Sequence, residues 1–209
     1  MERNVPLVVI KRLPRYYRYL GDLLNNNIYR ISSTDLSRKM NVTASQIRQD
    51  LNYFGGFGQL GYGYNVEALY NNIGAILGLS KGYKTFIVGS GNLGSAIANY
   101  PGFKKRGFNL CGMFDIDKSK IGTKVCDILV QDYNDIESFI KEENPDIAIL
   151  ALPKGGVSDV ANHLVKCGIK AFWNFAYVDL ELPNDVLVEN VHLIDSLMSL
   201  SFKKTNLQK

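Results

Sequence analysis

Three glycines and one acidic residue have the types and the spacing in this chain that point most directly to chemistry. Gly89, Gly91 and Gly94 have Gly-x-Gly-x-x-Gly spacing. They follow the apolar run 85–88 and precede Asp115, which stands 21 residues beyond the last glycine. In such a turn the first glycine permits the bend, the second lets a pyrophosphate approach the backbone, and the third lets helix and strand pack closely. The pattern predicts a dinucleotide site; the alternative is a glycine-rich turn in a domain without a ligand.

The neighbouring residues extend this predicted site. Ser90, Asn92 and Leu93 fill the turn, where the start of the next helix offers free N–H groups and a partial positive charge to phosphate. An acid at the end of the second strand accepts hydrogen bonds from an adenosine ribose and repels a 2′-phosphate. Asp115 therefore favours NAD(H) over NADP(H) as the cofactor.

The second half of the chain alternates buried strands with helices, which predicts a doubly wound parallel sheet in an α/β protein. The strands are predicted near residues 85–88, 110–114, 124–130, 146–152, 170–173 and 191–193. Ligands in such sheets bind beyond the carboxyl ends of the strands. We therefore expect the glycine turn, Asp115, Leu152 with Pro153, and residues 174–177 to converge on one crevice.

Three short helices are predicted in the N-terminal third, at residues 14–26, 35–40 and a third one capped by Thr43, and their spacing is that of a helix-turn-helix. On the third helix Ala44, Ile47 and Leu51 share an inner face. The polar side chains around the rest of this helix are of types that contact base edges and phosphates. The predicted DNA contacts here are Thr43, Ser45, Gln46, Arg48, Gln49 and Asn52. The alternative is an ordinary solvated face.

Residues 55–64 contain five glycines and three aromatic residues, which predicts a hairpin rather than a helix. A hairpin directly after a recognition-type helix is the wing of a winged helix, so Tyr62 and Tyr64 join the predicted DNA contacts. Residues 1–80 carry nine Lys/Arg and five Asp/Glu, whereas residues 81–209 carry fifteen of each. The positive excess therefore lies where DNA is predicted to bind.

Composition excludes several other classes of protein. No apolar run is long enough to span a bilayer, and the N-terminus lacks the features of a secretory signal, so we expect a cytoplasmic protein with no membrane partner. Cys111, Cys126 and Cys167 are odd in number and scattered. They are expected to be reduced hydrophobic residues rather than a disulfide framework or a zinc site.

Several segments, in order along the chain, resemble the Rex family of bacterial redox-sensing transcriptional repressors: KRLPRYYRYL, ISSTDLSRKMNVTASQIRQDLNYFG, GYGYNV, VGSGNLGSAIANY, FDID and WNFA. The resemblance implies a homodimer with a winged-helix DNA-binding domain (1–80), a Rossmann domain that binds NADH and NAD+ (81–193) and a C-terminal helix exchanged between subunits (194–209). It also implies release from a palindromic DNA operator when NADH rises relative to NAD+.

The resemblance also assigns individual roles. It places the nicotinamide near Asn174, Phe175, Ala176 and Tyr100, and it makes Arg18 the residue that changes partners with NADH. This chain departs from the family at Tyr177, where proline is common. It departs again at His192, where some members have an aspartate, and this leaves the partner of Arg18 open. Asp195 lies three residues further on, and His192 either makes the switch sensitive to pH or is a histidine with its hydrogen bonds satisfied at the end of a strand.

Two further departures concern DNA. The hairpin sequence 58–61 has no charge, and Arg48-Gln49 stands where an Arg-Lys pair is common. Fewer phosphate contacts predict a shallower dependence of DNA binding on salt.

Two other functions fit parts of the pattern. One is an NAD-dependent oxidoreductase with an N-terminal dimerisation domain, and the other is a CoA-binding domain of similar fold. Hydride-transfer enzymes need a proton donor and a substrate anchor beside the nicotinamide. The chain has only two histidines and little sequence for a substrate domain, so we expect no enzyme activity.

Overall fold

A computed structural model describes residues 5–55, 58–59 and 63–207. The chain divides into two compact units between Lys81 and Gly82, one residue beyond the expected boundary. Each unit has its own hydrophobic core, as expected for a chain of this length.

The first unit consists of short helices around a small antiparallel sheet. Its helices are α1 (Leu7–Ile10), α2 (Leu13–Asn25), α3 (Ser33–Met40), α4 (Ala44–Asn52) and α5 (Val66–Ile76). Its strands are β1 (Arg30–Ile31), β2 (Gly58–Gln59) and β3 (Gly63–Asn65), in the order β1-β3-β2. The three helices and the hairpin predicted from the sequence are confirmed as elements, whereas α1 and β1 had no clear sequence signal.

Side-chain caps determine where three of these helices begin. The side chains of Ser32, Thr43 and Asn65 each accept a hydrogen bond from a backbone N–H in the first turn that follows. Such caps satisfy N–H groups that have no partner within the helix. The cap of α3 is Ser32, so that helix begins at Ser33, two residues before the predicted start.

The second unit is built on a seven-stranded sheet of order β10-β9-β8-β4-β5-β7-β6. The strands are β4 (Tyr83–Val88), β5 (Phe108–Asp115), β6 (Lys124–Val125), β7 (Ile128–Asp132), β8 (Ile147–Leu150), β9 (Ala171–Asn174) and β10 (Leu187–Asn190). The helices are α6 (Asn92–Ala98), α7 (Gly102–Lys105), α8 (Ile136–Glu143), α9 (Val157–Lys166) and α10 (Leu193–Asn206), with a short 3-10 helix at Tyr133–Asp135 before α8. All pairs are parallel except β6 with β7.

Helices cover both faces of this sheet, which confirms the doubly wound α/β prediction. One face packs α8 and α9 against Phe86, Phe114 and Leu150. The other packs α6 against Ile87 and Met113. Strands of a parallel sheet that is covered on both faces have near-continuous apolar sequences, and this explains the apolar runs in the second half of the chain.

The structure corrects two predicted strands. The segment 124–130 is not one strand but the antiparallel pair β6–β7. The last strand is Leu187–Asn190, parallel to β9, and not residues 191–193. His192 consequently precedes the first residue of α10 instead of ending a strand. Among the residues described, no helix is both long enough and apolar enough to cross a bilayer.

Candidate nucleotide and nucleic-acid binding sites

The three glycines of the predicted nucleotide turn lie between β4 and α6 in three different environments. A Cβ on Gly89, whose φ is +100°, would lie 2.5 Å from the Ala151 carbonyl oxygen. A Cβ on Gly94 would lie 1.9 Å from the Gly89 carbonyl oxygen. A Cβ on Gly91 meets no heavy atom of the described chain within 4 Å. Two glycines are therefore needed for close packing, and the third leaves open space beside the backbone where a phosphate can approach.

Asp115 ends β5 and holds this turn in place. Its Oδ2 accepts hydrogen bonds from the Ser90 N–H at 2.8 Å and the Ser90 hydroxyl at 2.6 Å, and its Oδ1 accepts one from the Asp117 N–H at 3.0 Å. Lys120 Nζ lies 3.4 Å from Oδ2. Burial would raise the pKa of Asp115, but the hydrogen bonds from Ser90 and Asp117 lower it to about 2. The carboxylate is therefore ionised at neutral pH, and Oδ1, which accepts one hydrogen bond, retains acceptor capacity for a ribose hydroxyl.

The sheet order brings the four predicted strand ends together. β9, β8, β4 and β5 are consecutive neighbours, so their carboxyl ends lie side by side. Backbone hydrogen bonds continue across this edge, from Gly89 N–H to the Phe114 carbonyl and from Phe175 N–H to the Leu150 carbonyl. Leu152 lies against Gly89, and Pro153 beyond it is exposed. The segments that follow these four strands therefore lie along one edge of the sheet, as the sequence predicted.

Asn174 has a different role from the predicted cofactor contact. Its side chain is 0% exposed, and its amide donates hydrogen bonds to the Val178 carbonyl and to Asn190 Oδ1 while its Oδ1 accepts one from the Ala176 N–H. These bonds use the amide to fix the turn after β9 against β10. Ala176 is also buried in the core, so the side chains of both residues are closed off from solvent.

An aromatic row leads from this turn towards the end of α6. The ring centroids of Phe175 and Trp173 are 4.5 Å apart, those of Trp173 and Phe103 are 5.7 Å apart, and those of Phe103 and Tyr100 are 5.9 Å apart. Tyr100 is 59% exposed, so its ring does not simply fill a buried space at the end of α6. Its ring lies over Gly102, where a Cβ would come within 2.4 Å of it.

In the first unit, α4 presents most of the predicted DNA contacts to solvent. The exposed ones are Thr43, Ser45, Arg48, Gln49 and Asn52. The Arg48 guanidinium donates a hydrogen bond to the Ser33 hydroxyl at 3.0 Å, which aligns its side chain beside the start of α3. Gln46 is half-buried, and its amide donates to Asp50 Oδ1 at 2.8 Å.

The other two predicted DNA contacts, Tyr62 and Tyr64, belong to the predicted hairpin. Tyr62 lies outside the described residues. Tyr64, on β3, is 7% exposed and packs in the core of the unit, and burial raises its pKa. The structure therefore corrects the prediction for Tyr64, whose ring supports the hairpin from inside. Gly63 is required beside it, because its φ is +71° and a Cβ would lie 2.7 Å from the Ile31 carbonyl oxygen of β1.

Sequence reasoning missed Asp50, a buried acid of this unit with three side-chain partners. It is 0% exposed, and Arg12 donates to both of its oxygens at 2.7 Å. The Tyr16 hydroxyl donates to Oδ2 at 2.9 Å. Burial would raise the pKa of Asp50, but the hydrogen bonds from Arg12, Gln46 and Tyr16 lower it. This bidentate pair ties α4 to the start of α2.

The predicted switch residues lie in separate units. Arg18 is exposed on α2, with its guanidinium carbon 5.5 Å from the centre of the Tyr19 ring. His192 lies against Tyr177, with ring centroids 5.1 Å apart, and its Nε2 is 3.5 Å from Asp179 Oδ1. Asp195 is in the first turn of α10. Tyr177 and His192, both of which depart from the resembled family, are therefore in direct contact with each other.

Comparisons with known proteins match both units. Residues 4–52 match the family described as Putative DNA-binding protein N-terminus, and residues 80–178 match the family described as CoA binding domain. The Redox-sensing transcriptional repressor Rex of Thermoanaerobacter pseudethanolicus is 58% identical over 200 residues, which cover 96% of this chain and 89% of that protein. The protein of the same name from Clostridioides difficile is 56% identical over 200 residues, which cover 96% and 95%.

Two solved structures of RSP, a Rex-family repressor, have the same fold. RSP in complex with β-NAD+ and operator DNA has a TM-score of 0.91 at 57% identity, covering 98% of this chain and 94% of that one. RSP in complex with β-NADH has a TM-score of 0.91 at 54% identity, covering 98% and 96%. The relatives are named as repressors and not as enzymes. The chain belongs to the Rex family of redox-sensing transcriptional repressors.

Proposed function

We propose that this protein holds operator DNA through α4 and the hairpin that follows it, and that NADH bound at the glycine turn releases the DNA. Nucleotide binding is supported above all by the contrast among the three glycines. Gly89 and Gly94 are packed against other backbone atoms, whereas the space beside Gly91 is open. The Rex-family structures carry NAD+ with operator DNA and, separately, NADH, which supports the same nucleotides here.

The nicotinamide ring lies against Leu152 and Phe175 in this proposal, with Tyr100 at the edge of the pocket. NAD+ carries a positive charge on the ring, whereas the ring of NADH is neutral. Placing a charged ring in an apolar pocket without a partner is costly, so these surroundings favour NADH. Asp115 accepts hydrogen bonds from the adenosine ribose at the other end of the dinucleotide.

Operator binding requires two recognition helices, because a palindrome is matched by a symmetric dimer. Every residue of α10 is exposed, and Leu193, Leu197, Met198, Leu200 and Phe202 add a large apolar surface to it. A helix with so much apolar surface needs a partner to cover it. We propose that α10 is exchanged between the two subunits of a homodimer.

NADH then acts by favouring one arrangement of that dimer, since a ligand shifts an equilibrium only by its differential affinity for the two states. Arg18 is the proposed switch, because its planar guanidinium can release one hydrogen-bond acceptor and take another. Asp195 in the first turn of α10 and His192 before it are the candidate partners. We also propose a cytoplasmic location, which a DNA partner supports.

Two single substitutions test operator binding and NADH binding separately. Arg48→Ala removes an exposed cation of α4, so operator affinity should fall and the slope of log affinity against log salt should become shallower by about one. NADH affinity should not change, because Arg48 and the glycine turn belong to different units. Both are measured by titration, operator by fluorescence anisotropy and NADH by calorimetry.

Gly91→Ala should give the opposite result, with operator affinity retained and NADH binding lost, because the added methyl group occupies the space proposed for phosphate. Lys170→Ala, which removes a cation from the second unit, serves as the charge control and should change neither affinity. The proposal fails if Gly91→Ala binds NADH like the wild type, or if Arg48→Ala and Lys170→Ala bind the operator equally well.

A further inference from the structure

A cluster of three potential metal ligands lies where α8 meets α9, on the sheet face opposite α6. Glu137, His163 and Cys167 each direct one ligand atom to within 4.8 Å of the other two, and it is the one such group found within the described ranges 5–55, 58–59 and 63–207. His163 Nε2 is 3.0 Å from Glu137 Oε1. His163 and Cys167 are four residues apart, so one helical turn places them on the same face.

These separations suit a single small cation. Zinc binds thiolate, imidazole and carboxylate at about 2.0–2.3 Å, so its ligand atoms lie about 3.3–3.8 Å from one another in a tetrahedral site. The cluster therefore needs a contraction of about 1 Å at its widest pair to reach the spacing of zinc ligands. Glu137 is exposed and the other two residues are half-buried, so an ion can enter from solvent and keep a water as its fourth ligand.

Tyr133 provides the supporting hydrogen bond that metal-binding histidines require. Its hydroxyl lies 2.8 Å from His163 Nδ1. Histidine ligands use the second ring nitrogen to fix the ring orientation and tautomer. The hydroxyl serves both states: it donates to Nδ1 when Nε2–H donates to Glu137, and it accepts from Nδ1–H when Nε2 binds a metal.

We propose that Glu137, His163 and Cys167 form a binding site for a divalent transition-metal ion, with zinc the best chemical match. The thiol proton of Cys167 passes to solvent as the sulfur binds the ion. Soft thiolate and imidazole ligands favour zinc over magnesium or calcium. The sequence did not indicate this site because the cysteines are scattered, and Glu137 stands 26 residues before His163 on another helix.

Cobalt is the probe, because a thiolate bound to Co²⁺ gives a charge-transfer absorption and a tetrahedral site gives strong visible bands. The full-length, tag-free protein stripped of metal should bind one Co²⁺ with both signals, and Zn²⁺ should remove them. Cys167→Ser should abolish the charge-transfer band, and His163→Gln should lower Co²⁺ affinity by more than about 100-fold. Tyr133→Phe should lower it by about 10-fold, as loss of a supporting hydrogen bond does.

The chain offers matched controls. Its other histidine is His192, and Cys126 is an exposed cysteine outside the cluster. His192→Gln and Cys126→Ser should bind Co²⁺ like the wild type, and circular dichroism should establish that all variants are folded. The inference is overturned if the wild type gives no thiolate band, if Cys167→Ser keeps it, or if Cys126→Ser loses it. Metal binding is read without nucleotide or DNA, so its failure leaves the proposed function untouched.

Discussion

Single residues of the nucleotide turn respond differently to an added methyl group. Gly94→Ala places a Cβ 1.9 Å from the Gly89 carbonyl oxygen, so α6 must move away from β4. We expect the second unit to lose stability by about 1–3 kcal/mol, the range for overpacking a close contact. Gly91→Ala is the matched control, since the same methyl group there enters open space and φ is −67°. Its free energy of unfolding should stay within about 0.5 kcal/mol of the wild type.

Denaturant unfolding followed by a probe in the second unit measures this difference. Trp173, which lies on β9 and packs in the core near α6, supplies a suitable fluorescence signal. Equal loss of stability in both variants would contradict the assignment of separate roles to the two glycines.

At the scale of elements, the Arg12–Asp50 pair determines how the recognition helix α4 is attached to α2. Asp50→Ala leaves the Arg12 guanidinium and the Tyr16 hydroxyl without their partner, and breaking such a buried pair costs about 3–5 kcal/mol. Urea unfolding of the first unit, followed by circular dichroism, measures the loss. Asp22→Ala on the exposed surface of α2 is the control and should change stability by less than about 0.5 kcal/mol. A cost for Asp50→Ala as small as this control would show that the pair does not hold α4.

Elements with local signals could be predicted from the sequence. The glycine turn, the Thr43 cap and the apolar strands β4 and β8 depend on residues close together in the chain. Asp50 could not be predicted, because its partner Arg12 is 38 residues away and an acid on a helix normally faces solvent. β10 was placed four residues too late for a similar reason. It is an edge strand with alternating exposed residues, and its position is fixed by pairing Leu187 with Ala171 rather than by its own hydrophobicity.

At the scale of the whole molecule, the exposed apolar surface of α10 should determine assembly. Leu197→Asp places a charge within that surface, and we expect it to convert the dimer to a monomer. Operator affinity should fall sharply as well, because two half-sites are no longer bound together. Sedimentation velocity measures the first effect and fluorescence anisotropy the second. Asn206→Asp, at the last residue of α10 and beyond these apolar residues, introduces the same charge and should remain a dimer. Dimerisation of Leu197→Asp at wild-type strength would contradict the exchange of α10.

NADH, and not NAD+, should release the protein from its operator. The most direct measurement is fluorescence anisotropy of a labelled palindromic operator bound to the wild-type protein, titrated separately with each nucleotide at fixed salt. We expect release by NADH and retention of the complex at the same concentration of NAD+. Binding that is indifferent to both nucleotides, or release by both at equal concentration, would contradict it.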